Sequence, residues 1–224
     1  MPISKSLPPW LPLFTVLFSS LAVAETKTYP LISLEGLKLH GATAEATTYE
    51  GRKGLRAASK GNASENGLIA VAEGFHNGTI EIDAAGRPGT GAGQMARGFV
   101  GVAFRAADDF SKFECFYLRP TNGRAEDQVR RNHSVQYISF PGFPWEKLRK
   151  EEPEKYESYA DLVPGEWTKV KITVEGVKAR LYVKGSDQPA LVVNDLKLGD
   201  SRGVVALWIG PGTEAHFANL KITQ

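Results

Sequence analysis

The sequence predicts an all-β protein, a two-sheet antiparallel β-sandwich of the jelly-roll kind with one short helix in a long insertion. Three observations predict it. Apolar and polar residues alternate with period 2 in segment after segment. The alternating runs are rich in Val, Ile, Tyr, Phe and Trp, and Gly, Pro, Asn or Asp punctuate them. Helical periodicity is scarce, and many strands at short spacing with little helix fit two packed sheets.

The N-terminus reads separately from the rest. Lys5 supplies a short positive region, Trp10 to Leu21 an apolar run, and Ala22-Val23-Ala24 a small-x-small cleavage site. That is the layout of a secretory signal peptide, and Pro8, Pro9 and Pro12 disfavour a long apolar helix. Residues 1–24 are therefore expected to be removed, leaving residues 25–224 as one exported domain, periplasmic or extracellular. No other stretch approaches the ~20 apolar residues a bilayer crossing needs, so no membrane insertion is expected. The lone Cys115 cannot form an internal disulfide and reads as a small buried hydrophobe. A formal net charge of +2 gives no reason to expect nucleic acid as a partner. Asn62, Asn77 and Asn132 carry N-x-S/T motifs.

From there the elements follow in order. "YPLISLEGLKLHG" (29–41) alternates enough for one or two strands, and a polar span, "EATTYEGRKGLRAASKGNASENG", leads into the main sheet. Strands are expected over 67–73, 78–84, 99–106, 113–120 and 133–139. A charged insertion, 141–165, has room for one short helix stopped by Pro153. Strands resume over 166–176, 178–185, 203–210 and 214–223. Parity identifies buried faces: Val170, Ile172 and Val174 alternate with Lys169, Lys171 and Glu175, and Ala179, Leu181 and Val183 with Arg180, Tyr182 and Lys184. Gly176 marks a tight hairpin turn.

Several motifs suggest chemistry and fail on inspection. Glu81-x-Asp83 would begin the Glu-x-Asp-x-Glu strand of a retaining glucanase, where residues at i, i+2 and i+4 line one cleft; Ala85 stands in the third position, so the second carboxylate is missing. Those two acids read as the polar face of an edge-proximal strand. "GRPGTGAGQMARG" (86–98) is glycine-rich, but a strand follows it where a phosphate cradle needs a helix, so it reads as a strand connection. "GDSRG" (199–203), with His216 nearby, shows no nucleophile elbow. His40, His76, His133 and His216 show no metal-ligand spacing. No cofactor is expected; a calcium site built from carbonyls and carboxylates is not legible in single residues.

The second half carries a recognisable cadence. Phe104-Arg105 ends a Gly-rich strand, Trp167 opens a charged hairpin, and Phe217-x-Asn219-Leu220 closes the chain. Over residues 67–224 this resembles the concanavalin A-like lectin/glucanase superfamily, and within it the bacterial 3-keto-disaccharide hydrolase-like domain. It departs at the hairpin tip, where Lys184-Gly185 replaces Asn-Gly. The resemblance implies the sandwich fold and a carbohydrate ligand, and it raises cleavage of 3-keto-glycosides as an activity; fold alone does not settle function.

"YLRPTNGRAEDQVRRNHSVQYIS" (117–139) is where the residues themselves point to a site. Arg119 shares strand parity with Tyr117 and Cys115, with Arg105 ending the preceding strand. Arg124, Arg130, Arg131, Asn132, Gln136, Tyr137 and, in the insertion, Trp145 add forked donors, amides and aromatic rings. Guanidinium and amide groups fix sugar hydroxyls or carboxylates, and aromatic faces stack on pyranose rings. The expectation is a ligand cleft formed by residues 105–159. If it catalyses, Asp127 or His133 is the candidate base, with Glu157 behind them, abstracting a proton beside a ketone while arginines stabilise the enolate. The alternatives are a non-catalytic glycan-binding module and an envelope protein-interaction module.

Overall fold

The structure is a computed structural model that describes Met1, residues 24–60 and residues 66–224. Residues 2–23, nearly all of the segment read as a signal peptide, and Asn62 lie outside the described residues. Among the described residues fifteen strands run in chain order. The first seven are β1 (Thr26–Tyr29), β2 (Lys38–His40), β3 (Ala42–Tyr49), β4 (Arg52–Ser59), β5 (Gly67–Phe75), β6 (Gly78–Pro88) and β7 (Val100–Ala106). The rest are β8 (Phe113–Leu118), β9 (Val135–Phe140), β10 (Glu157–Ser158), β11 (Thr168–Glu175), β12 (Lys178–Val183), β13 (Leu191–Val193), β14 (Gly203–Ile209) and β15 (Thr213–Thr223). A 3-10 turn (Pro120–Asn122) and two helices, α1 (Gln128–Asn132) and α2 (Trp145–Glu151), lie between them. Helix α2 is the one expected in the insertion, and it ends before Pro153.

The strands form two antiparallel sheets. One has the order β13-β12-β11-β6-β15-β4-β3, with β1 also paired to β15; the other runs β10-β9-β8-β7-β14-β5-β2. Parity predicts the inward residues of two strands, and Val170, Ile172 and Val174, and Ala179, Leu181 and Val183, are all buried, as are Ile80 and Ile82 on β6. Facing them are Val102, Phe104, Phe116, Leu118, Val135, Tyr137 and Leu207. Phe104 and Phe116 stack across adjacent strands at 6.1 Å. Such dense apolar burial is the main source of stability.

Two expectations need correction. The polar span after residue 45 is largely a regular hairpin, β3 paired with β4 from Ala42↔Ser59 to Tyr49↔Arg52. Its turn residues Glu50 and Gly51 both have positive φ (45° and 73°), the geometry of a two-residue primed turn. Nor is β6 near an edge: it lies between β11 and β15. Glu81 and Asp83 are neutralised there on the outer face, Glu81 by Lys221 and Asp83 by Arg52 at 2.7 Å and the Asn219 amide at 2.8 Å.

The residues that carry the family resemblance have structural jobs. Asn219 has φ 55° at the bulge where β15 shifts register between Ala218 and Lys221, a conformation Asn tolerates better than most side chains. Trp167 donates Nε1–H to the Tyr49 carbonyl at 3.1 Å and carries the Arg52 guanidinium over its ring.

His216 belongs to the same outer face. It is buried, stacked on Tyr49 at 3.7 Å, edge-on to Trp167, and 3.2 Å from Glu214, which Arg56 and Arg87 also contact. Burial lowers the His216 pKa despite the opposing pull of Glu214. Burial would raise the Glu214 carboxyl, but hydrogen bonds from Arg56, His216 and Arg87 bring it down to about 2. A histidine held neutral in the fold takes up its proton more readily when unfolded. Stability should therefore fall as the pH drops below the ordinary imidazole value of about 6.5, whereas the Glu214 contribution is lost only below the ordinary carboxylate range. Urea unfolding from about pH 7.5 down to about 5.5 checks this. His216→Phe, which keeps the ring stack, should remove part of the slope, and His133, lowered likewise by burial, accounts for another part.

Candidate functional site

The outer face of the seven-stranded sheet holds a cleft of about 790 Å³. Its floor comes from strand alternation. Tyr117 on β8 and Trp208 on β14 both lie opposite Gly101 on the intervening β7, and their rings meet over that glycine at 4.6 Å. Phe99 packs edge-on against Tyr117. Gly101 is what permits the arrangement, since a Cβ there would stand 2.6 Å from Tyr117 Cβ and against the Phe116 carbonyl. Gly101→Ala should cost about 1–3 kcal/mol through this overpacking, read by urea unfolding, and should spoil the floor.

One wall is helix α2. Trp145 and Arg149 are four residues apart and share a face, so the guanidinium lies 4.6 Å from the indole centroid; Arg119 approaches the same ring at 5.5 Å. Both arginines converge on Glu157 of β10. Arg149 grips it with Nε at 2.7 Å and Nη2 at 2.6 Å, Arg119 Nη1 lies at 3.4 Å, and His133 Nε2 at 3.5 Å. Arg119 also donates to the Tyr117 hydroxyl at 2.8 Å and to the His133 carbonyl at 3.2 Å. Burial pushes the Tyr117 phenol up to about 12. It also lowers the His133 pKa, Glu157 opposing and Arg149 and Arg119 assisting, so the imidazole is neutral at pH 7.

The opposite side is built from α1, the 3-10 turn and the loop before β7. Asp127 caps α1, accepting the Arg130 backbone N–H at 3.1 Å. Helical spacing then sets Asp127, Arg130 and His133 on the cleft side. Arg130 Nε donates to Asn122, whose amide donates to the His133 carbonyl. From the loop come Gly93, Met95, Ala96 and Arg97, tethered by the Thr121 N–H to the Arg97 carbonyl at 3.2 Å.

Of the residues expected at the site, Arg119, Asp127, Arg130, His133 and Trp145 line the cleft. Six lie elsewhere. Arg105, at φ 50°, has a fully buried side chain that donates to His76 O, Gly199 O, Asn77 Oδ1 and Asp200 Oδ1. Arg124 forms a bidentate pair with Asp161. Arg131 reaches Tyr159 and Asn132 accepts from Gln128. Gln136 donates to the carbonyls of Tyr137 and Tyr156, while Tyr137 is a core residue whose hydroxyl donates to buried Glu114 at 2.6 Å. Residues the sequence reading did not place at the site are Arg97, Phe99, Trp208 and the loop around Met95. Parity offered one signal: Trp208 must face away from core residues Leu207 and Ile209.

Among the described residues, no group of three or more His, Cys, Asp or Glu side chains is placed to hold a metal ion, and no helix is long and apolar enough to cross a membrane.

No protein-family model and no curated protein matches the chain. Solved structures do resemble it. The carbohydrate binding module CBM66 from Bacillus subtilis superposes with TM-score 0.54 at 16% identity, covering 83% of this chain and 97% of that one. A Bacillus subtilis protein of unknown function with a galectin-like fold gives 0.57 at 12% identity, covering 90% and 98%. The winged bean acidic lectin complexed with methyl-α-D-galactose gives 0.54 at 10% identity, covering 89% and 98%. With two antiparallel sheets and these neighbours, the chain has the concanavalin A-like lectin/glucanase fold.

Proposed function

We propose that this is an exported protein that binds a glycan in the cleft on the seven-stranded sheet. The observation that carries this reading is the paired aromatic floor, Tyr117 on Trp208, beside a wall in which Trp145 stands next to the guanidiniums of Arg119 and Arg149. Trp145, only partly buried, supplies a ring for a pyranose to pack on, the buried Tyr117–Trp208 pair gives the cleft an apolar floor, and forked guanidinium donors supply hydroxyl or carboxylate recognition. Structures of the same fold that are named as a carbohydrate binding module and a lectin support it by analogy. A glycan-array screen of the purified protein, followed by calorimetric titration of any hit, tests it. Saturable binding that quenches tryptophan fluorescence is expected. Silence across plant, fungal and bacterial glycans would reject it and favour a protein partner.

Cleavage is a second reading, and His133 favours it. The imidazole lines the cleft, is neutral at pH 7, and lies beside Arg119 and Arg149. That arrangement suits proton abstraction beside a ketone with cationic stabilisation of the enolate, the chemistry implied by the resemblance to the 3-keto-disaccharide hydrolase-like domain. Asp127 lies at the same cleft but is engaged in capping α1. Mass spectrometry of 3-keto-glycosides after incubation decides: products lost in His133→Ala establish an enzyme, and intact substrate leaves a binding module.

A further inference from the structure

Resting on the glycan reading above, the charges in the cleft narrow the class of glycan. Four guanidinium groups line it, from Arg97, Arg119, Arg130 and Arg149, against two lining carboxylates, Asp127 and Glu146. A third carboxylate, Glu157, is buried and already engaged by Arg149 and Arg119. Asp127 is engaged with a backbone N–H. The other two arginines are bonded only to neutral oxygens. Arg97 donates to the carbonyls of Gln94 at 2.6 Å and Ala96 at 3.0 Å, and Arg130 to Asn122 Oδ1 at 2.9 Å and Thr121 Oγ1 at 3.5 Å. They are close enough to repel: after burial itself, the charges of Arg130 and Arg119 hold the Arg97 pKa below its ordinary value. A further donor waits at the floor, where buried Trp208 Nε1–H has no acceptor.

Guanidiniums such as Arg97 and Arg130, partly buried in a concave site with no carboxylate bonded to them, favour a ligand that supplies a negative charge over a neutral analogue. The unpartnered Trp208 Nε1–H is a donor, which suits an acceptor-only ligand group. We propose that the cleft takes a saccharide bearing an oxyanion, either the carboxylate of a uronic acid or a sulfate ester, held by Arg97 and Arg130 while the sugar lies against Tyr117, Trp208 and Trp145. Forked guanidinium geometry matches both oxyanions.

Calorimetry on the purified protein with tri-galacturonate, with neutral galactotriose and with a sulfated galacto-oligosaccharide tests the proposal. At least one anionic sugar should bind about ten-fold or more tightly than the neutral one, and the stronger of the two identifies the source of the oxyanion. Raising NaCl should weaken the anionic sugar and leave the neutral one unchanged. In Arg97→Gln/Arg130→Gln the ratio of anionic to neutral affinity should fall to about one. A ratio that survives the double substitution overturns the proposal; should that variant fail to fold, salt-independent binding of the anionic sugar to the unaltered protein overturns it instead. Array hits confined to neutral glycans would overturn this inference and leave the glycan reading standing, whereas no glycan binding at all would end both.

Discussion

Glu157→Ala should destabilise the protein by about 3–5 kcal/mol, the usual cost of breaking a buried ion pair from one side. Glu157 is buried on the short strand β10 and is the common acceptor for Arg149 and Arg119, with His133 at 3.5 Å. Removing it leaves the buried Arg119 with no carboxylate, facing Arg149 across the same pocket. Both guanidiniums must then find water or move, and both pack against Trp145. The loss should therefore appear twice, as a lower urea midpoint and as weaker ligand binding. Glu157→Gln keeps an acceptor and most of the shape but loses the charge, so it should fall between. Because Glu157 is the larger of the two charges, with Glu154, that raise the His133 pKa, either substitution should push that pKa still lower, which NMR titration of the imidazole would read.

Trp145→Ala should weaken glycan binding by about 2 kcal/mol or more, roughly thirty-fold, as expected for an aromatic anchor in a desolvated pocket. The indole stands on the wall of the cleft, and the Arg119 and Arg149 guanidiniums packed against it, at 5.5 and 4.6 Å, fix its orientation. It is only partly buried, so the cost to folding should be much smaller than that of Glu157→Ala. A calorimetric titration paired with a urea curve separates the two effects. Trp145→Phe should restore part of the affinity, since it keeps a ring but loses area and indole polarisability.

How far the sequence reveals this architecture depends on the period of each segment. Strands with one buried face, such as Val170–Val174 and Ala179–Val183, show it plainly. The β3–β4 hairpin does not, because β3 is an edge strand in which only Ala42 is buried, and so its residues carry little alternation. Strands β10 and β13, of two and three residues, are too short for any period to register.

The site divides in the same way. Residues 117–145 read as a cluster because they are close in sequence, but the unseen helix α1 decides which of them meet. Its turn brings Asp127, Arg130 and His133 together and carries Arg131 and Asn132 away. Strand alternation likewise forbids Gln136 and Tyr137 from sharing a face: Tyr137 goes to the core, and Gln136 is covered by the backbone before β10. Arg97 and Trp208 reach the cleft from distant parts of the chain, and only the order β8-β7-β14 brings them beside Tyr117. Arg105 misled for a different reason. An arginine at a strand end resembles a ligand donor in sequence, yet here it closes the loops of His76 and Gly199 from inside.

The most direct test of the cleft as the ligand site is a hydrogen-exchange footprint of the protein saturated with its best array hit. Protection concentrated in β8, β9, α2 and the 89–99 loop is the predicted result. Protection on the other sheet instead, around Tyr49, Trp167 and His216, where a second aromatic cluster lies on the outer face, would contradict it and move the binding site to the opposite side of the sandwich.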